Sequence, residues 1–232
     1  MKNDNNGFFV VFDGIDATGK DTQTRLLAAR LRSLGHKTED ISFPRYQANV
    51  VGKLIREALD GEHGDFIGMD PKLASVIYAA DRVESKSLLD GWLAEGAIVV
   101  SDRYVSANQI HQGGKITDEK ERKKFLAWLD LLEFDKLELP EPDVIVYLHL
   151  PVKLSMELSK ARAEKKGEKL DMSESDYQHL YDSQQSALSI VKSRHNWIMI
   201  DCAPDGVNQL SEEVISDMVY NKISPLIVAK QM

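Results

Sequence analysis

Short apolar runs alternate along the chain with longer stretches of helical periodicity. Five runs read as strands: Phe8–Asp13 (FFVVFD), Thr38–Phe43 (TEDISF), Ala97–Ser101 (AIVVS), Val144–Leu150 (VIVYLHL) and Trp197–Asp201 (WIMID). Most are continuously apolar, the pattern of parallel strands covered on both faces. Lys20–Leu34 sets Leu26, Leu27, Leu31 and Leu34 on one helical stripe, with Gly35 where a helix stops. Pro71 opens a long helical pattern running to about Glu95, with Gly91 as a blemish. Glu119–Leu132, Val152–Lys165, Glu174–Ser193 and Val207–Tyr220 complete the helical candidates. Strands alternating with helices specify an α/β fold with a parallel sheet and right-handed crossovers. No repeat, low-complexity tract or long linker divides the chain, so a single domain over residues 1–232 is expected. The polar segment Ser159–Asp171 (SKARAEKKGEKLD) reads as an exposed loop or lid, which extends over about 159–173.

Composition narrows the function classes. Apolar residues and glycine together make up about half of the chain, the ordinary globular value. Twenty-nine basic against 37 acidic side chains give a formal net charge of −8. That balance disfavours general nucleic-acid binding, which depends on neutralising many phosphates, but leaves room for a local basic pocket. The single Cys202 follows an apolar run, excludes an intramolecular disulfide and a cysteine zinc cluster, and reads as a buried, inert thiol. The N-terminus MKNDNNG is no signal peptide, and no stretch approaches the ~18 apolar residues of a membrane span. A cytoplasmic protein with no membrane partner is expected.

The sharpest chemical signal follows the first strand. Gly14-Ile15-Asp16-Ala17-Thr18-Gly19-Lys20-Asp21-Thr22 carries the G-x-x-x-x-G-K pattern in strand–loop–helix context. Its glycines let successive backbone N–H groups face phosphate oxygens, and the following helix points its positive end at the same place. Lys20 adds a charge toward the β- and γ-phosphates of a bound nucleotide. Asp21 stands where Ser or Thr normally offers a hydroxyl to Mg²⁺. Either its carboxylate ligates the ion, or it faces away and water takes that place. A three-layer P-loop NTPase fold follows, with five parallel strands flanked by helices. No N-K-x-D guanine-reading motif is present.

Further motifs occur in register: Phe12-Asp13-Gly14-Ile15-Asp16, Phe43-Pro44-Arg45-Tyr46, Tyr78-Ala79-Ala80-Asp81-Arg82, Asp102-Arg103-Tyr104, and Ala107-Asn108 with His111. Together with Gly61–Asp65 (GEHGD) they resemble the thymidylate kinases, P-loop kinases of nucleoside monophosphates, and in particular bacterial members. The resemblance is strongest up to Asn108. It implies ATP-dependent phosphorylation of dTMP to dTDP in dTTP biosynthesis, with Mg²⁺ as cofactor and a homodimer as the assembly.

The resemblance and the side-chain chemistry together assign roles. Arg103, at a strand end beside the P-loop, clasps the acceptor phosphate with its planar fork. Asp102 holds Mg²⁺ through water or fixes Arg103. Asp16 contacts the 3′-hydroxyl of the acceptor sugar and helps hold the metal. Tyr78 and Arg82, four apart on one helix face, stack on the base and hydrogen-bond to it. Phe43 packs near the base, Arg45 near the acceptor phosphate and Tyr46 near the sugar or metal. Asn108 suits a pyrimidine edge, offering both a donor and an acceptor. His111 replaces the family's usual Tyr beneath the 2′ position. Ala17 makes the P-loop neutral, matching the kind of thymidylate kinase that brings its basic residues from the lid. Here these are Lys160, Arg162, Lys165, Lys166 and Lys169; Arg162 best matches the family position, from which such a side chain stabilises the charge of the transferring phosphoryl. Glu174 falls at the position of a lid acid that contacts metal or sugar, but Ser173 precedes it where Tyr is usual. Two alternatives stay open: a kinase of another pyrimidine monophosphate or a deoxynucleoside, and a nucleotide-binding protein with weakened catalysis.

Overall fold

The computed structural model describes residues 7–167 and 175–231. The strands are β1 (Phe8–Asp13), β2 (Thr38–Ser42), β3 (Ile98–Asp102), β4 (Val144–His149) and β5 (Trp197–Asp201). All pair in parallel, in the order β2-β3-β1-β4-β5. The helices are α1 (Lys20–Ser33), α2 (Val50–Leu59), α3 (Pro71–Glu84), α4 (Lys86–Ala94), α5 (Val105–Gly114), α6 (Glu119–Asp130), α7 (Val152–Lys166), α8 (Tyr177–Ser193) and α9 (Glu212–Gln231).

Successive strand side chains point to opposite faces, and each face has its own core. Phe8, Val10 and Phe12 of β1 join Leu27 and Leu31 of α1 and Ile215, Val219 and Ile223 of α9. Phe9 and Val11 join Ile110 of α5, Phe125 and Leu129 of α6, and Ile190 of α8. Two covered faces explain the continuous apolar runs. The edge strand β2 is the exception: Asp40 is exposed and pairs with Arg32, a charge that deters edge-to-edge pairing.

Several elements differ from the sequence pattern. The α1 stripe is narrower than expected, since Leu27 and Leu31 are buried while Leu26 and Leu34 face solvent. The pattern from Pro71, read as one helix to about Glu95, is two helices that meet at Ser85. The Ser85 hydroxyl receives bonds from Arg45 Nη1 (3.0 Å) and Asn49 Nδ2 (3.1 Å). These bonds pin the chain between two helices, whereas Gly91 sits inside α4 with open space around it. Helices α2 and α5 had no counterpart in the apolar pattern. The last helix starts at Glu212 and runs through Pro225, not over Val207–Tyr220. Residues Ser159–Lys166, read as part of a loop, are the last turns of α7, which ends on Gly167 in the left-handed conformation. Lys169, Ser173 and Glu174 lie outside the described residues. Finally, α6 runs on as a turn of π-helix, Leu131–Lys136, whose wider winding turns Glu133 fully inward.

The strand order reverses about β1. Its C-terminal end is therefore the switch point where open parallel sheets place their ligands. Phe12 pairs with Asp102, so the P-loop and the Asp102-Arg103 segment leave the sheet side by side.

Candidate active site

The loop after β1 is held open by backbone geometry. Gly14 has φ of +153°, and a Cβ there would lie 2.6 Å from the Leu148 carbonyl oxygen, so no other residue fits. Ala17 also adopts a positive φ, 54°, a strained choice for a residue with a Cβ. Ser155 Oγ on α7 donates to the Asp16 carbonyl (2.7 Å), and Gln209 Nε2 donates to the carbonyls of Ala17 and Thr18 (3.4 Å each). The loop lines a cavity of about 440 Å³ bounded by residues Asp16 to Gln23, Asp102, Arg103, Arg162 and Gln209. Lys20 Nζ donates to the Ile15 carbonyl (2.8 Å) and lies 4.0 Å from Asp16 Oδ1. Burial and the nearby Arg103 bring its pKa down against the pull of Asp16, Asp102 and Asp13. Asp21 is exposed and pairs with Arg25, one turn along α1, at 2.8 Å.

Arg103 stands at the wall between this cavity and a second one of about 260 Å³. Its φ is +62°, a strained conformation fixed by its N–H bond to the Phe12 carbonyl (2.8 Å). Its Nη2 donates to Asp16 Oδ1 (2.8 Å), its Nη1 donates to His111 Nε2 (2.8 Å), and Asp13 Oδ1 lies 3.6 Å away. Burial opposes its charge, but Asp16, Asp13 and Asp102 outweigh burial and raise its pKa. For Asp16 burial likewise opposes ionisation, and Arg103 and Lys20 prevail, so its pKa falls below the usual carboxylate value. Asp13 is the reverse case. Burial wins and raises its pKa, although Ser106 Oγ (2.6 Å) and the Gly14 N–H (2.8 Å) donate to it.

Because a guanidinium only donates, the Arg103 contact requires His111 Nε2 to accept. His111 is therefore neutral with its proton on Nδ1, directed to Ser183 Oγ at 3.2 Å. Burial first, then Arg103, holds its pKa well below the ordinary histidine value. Its ring stacks on His179 (centroids 5.5 Å apart, planes at 17°).

The second cavity gathers Asp16, Phe43, Tyr46, Tyr78, Arg82, Arg103, Asn108 and His111, all candidates from the sequence. At its floor Arg82 is paired with Glu133, Nε to Oε2 at 2.6 Å. Asn108 Nδ2 donates to Glu133 Oε1 (3.2 Å) and to the Ser75 carbonyl (3.3 Å). Phe43 packs on Tyr104, which packs on Phe9. Arg45 is not among the lining residues. Its Nη1 holds Ser85 Oγ and its N–H donates to Asp81 Oδ2 (3.1 Å), tying the chain before α2 to α3 and its end. Sequence reading missed Arg56, Gln112, Lys115 and His179 on the walls and Glu133 beneath them. Lys115 Nζ donates to the Met69 carbonyl (3.1 Å), and burial takes its pKa down to about 8. Cys202, directly after β5, is fully buried, and burial pushes its thiol up to about 12. That agrees with the inert thiol expected.

Among the described residues no three His, Cys, Asp or Glu side chains converge as a self-sufficient metal site. Asp102 nevertheless suits a cation shared with a nucleotide. Its Oδ1 is buried without a hydrogen-bond partner, and burial raises its pKa over the opposing pull of Lys20 and Arg103. Mg²⁺ is commonly held by one or two carboxylates together with substrate phosphates, so the donor set fits.

A parallel sheet with a phosphate cradle at its switch point, joined through one arginine to a second, base-sized cavity, defines a P-loop nucleotide kinase. The chain belongs to the thymidylate kinase family, whose model matches residues 12–214. It is 32% identical over 156 residues to the thymidylate kinase of Mycobacterium tuberculosis (strain CDC 1551 / Oshkosh), covering 67% of this chain and 72% of that protein. It is 27% identical over 219 residues to a probable thymidylate kinase of Methanococcus maripaludis (strain C6 / ATCC BAA-1332), covering 94% and 98%. The solved thymidylate kinase structure from Candida albicans superposes with a TM-score of 0.72 over 97% of this chain and 94% of that one, at 22% identity, which speaks to the fold. No described helix is long and apolar enough to cross a membrane.

Proposed function

We propose that this chain transfers the γ-phosphoryl group of ATP to dTMP, giving ADP and dTDP. The observation that carries the reading is Arg103, a residue shared by the walls of both cavities. ATP occupies the P-loop side, and the monophosphate lies between Tyr78, Arg82 and Asn108 with its phosphate toward Arg103. The attacking atom is a phosphate oxygen, mostly dianionic at neutral pH because a monoester's second pKa is about 6. No general base is needed, and catalysis reduces to in-line positioning and charge neutralisation.

Lys20, resting on the Ile15 carbonyl, turns to the β- and γ-oxygens. Arg103 bridges donor and acceptor phosphates, and Asp16 and His111 hold its fork in place. Arg162, at the end of α7 over the P-loop cavity, covers the transferring group and keeps water away. Asp102, with Asp16, would hold Mg²⁺, which neutralises phosphate charge and aligns the oxygens when bound. Asp21 and Glu174 remain further candidates for the metal, and Arg45 for the acceptor phosphate. The homodimer and the cytoplasmic location belong to the same reading. The opposing cavities make a direct test: adenosine joined to deoxythymidine through a polyphosphate bridge should compete with both ATP and dTMP. Competition with ATP alone refutes the acceptor assignment.

A further inference from the structure

Glu133 touches no solvent and belongs to no motif, yet it organises the cavity floor. It sits on the π-turn after α6, its side chain fully buried. Both its oxygens receive the Arg82 fork, through Nε (2.6 Å) and Nη2 (2.5 Å), and Oε1 also accepts from Asn108 Nδ2 (3.2 Å).

We propose that Glu133 is a positioning residue that sets the hydrogen-bond polarity of the base pocket, admitting pyrimidines that pair a ring carbonyl with a ring N–H. The proposal rests on dTMP being the acceptor. An asparagine amide can rotate to present either its oxygen or its NH₂ group. Here both N–H bonds are consumed inside the protein, by Glu133 and by the Ser75 carbonyl (3.3 Å). The oxygen is what remains for the cavity that Asn108 lines. Arg82, bound to Glu133 on one edge and through Nη1 to the Tyr104 carbonyl (3.3 Å), leaves further N–H groups on its outer edge. The floor therefore offers a donor beside an acceptor. Thymine and uracil, with O4 accepting and N3–H donating, match it. Cytosine, with an amino donor beside an accepting N3, meets donor with donor and acceptor with acceptor. A site built on such partners rejects the wrong base strongly because its buried groups are left unpaired.

Glu133→Gln tests this. The amide cannot accept the fork with both atoms, and Asn108 loses the carboxylate that fixes its orientation. KM for dTMP should rise about tenfold or more with kcat less affected, KM for ATP should stay unchanged, and the preference for dTMP over dCMP should narrow by about tenfold. Equal losses of kcat/KM for dTMP and dCMP would overturn the proposal and leave Glu133 a purely structural residue. Unaltered protein that turns over no dTMP would instead refute the underlying reading. Should the variant not fold, NMR of the unaltered protein decides. The two Asn108 side-chain amide protons should exchange slowly with and without dTMP, and exchange at the rate of an exposed amide would overturn the proposal.

Discussion

Arg103 concentrates the chemistry of the site in one side chain: a strained φ, two hydrogen bonds and three neighbouring carboxylates. Its planarity matters as much as its charge, because only a fork reaches Asp16 and His111 together. Arg103→Lys keeps the charge and loses the bridge. Steady-state kinetics should show kcat down by about 100-fold with KM for ATP nearly unchanged, and wild-type kcat would contradict the role. His111 offers a pH readout. Burial, and then Arg103, His179, Lys20 and Lys115, disfavour its protonation in the fold, whereas in the unfolded chain its pKa is about 6.5. Below that value the unfolded state binds the extra proton, so stability is lost as pH falls, by up to about 1.4 kcal/mol per pH unit until the folded pKa is reached. Asp16, with its lowered pKa, adds its own acid loss further down. Urea unfolding at pH 7 and pH 5.5 should show a smaller difference in His111→Gln than in the parent protein. An identical difference would contradict a neutral, buried His111.

At the scale of elements, the strands and the P-loop were legible because their signals are local: apolar runs in β1 and β4, and glycines at Gly14 and Gly19. Helix α5 was not, because much of its buried face is polar. Asn108, Gln109 and Gln112 are buried there, and a search for apolar periodicity passes over them. The same blindness hid Glu133, whose inward turn depends on a π-turn that no propensity marks. Arg82 and Asn108 could be named from motifs, but the carboxylate joining them lies 51 residues beyond Arg82 in sequence. The break at Ser85 is likewise made by partners distant in sequence, Arg45 and Asn49 between β2 and α2. The packing of α5 on α8 is tight at Gly114, where a Cβ would lie 2.8 Å from the Ser183 amide nitrogen and 2.9 Å from the Asp182 carbonyl carbon. Backbone cannot yield as a side chain end can. Gly114→Ala should therefore cost about 1–3 kcal/mol in denaturant unfolding. It should also raise KM for dTMP, since Ser183 is the hydrogen-bond partner of His111. Unchanged stability would show that the two helices separate freely.

For the molecule as a whole, a net charge of −8 coexists with a cleft where Lys20, Arg82, Arg103 and Arg162 converge. The acids are not only on the surface. Asp13, Asp16, Asp102 and Glu133 sit under the cations and hold them in place. Such a site is preorganised for phosphate charge and needs little rearrangement when the charge arrives. Two cavities that share Arg103 suit two small polyanions held side by side. The most direct measurement is a turnover panel with ATP and Mg²⁺ against dTMP, dUMP, dCMP, dGMP, AMP and thymidine, with the products identified. The account predicts dTDP and ADP as products and dTMP turned over well above dCMP, dGMP, AMP and the nucleoside. A higher kcat/KM for any of those four, or no transfer to dTMP at all, would contradict it.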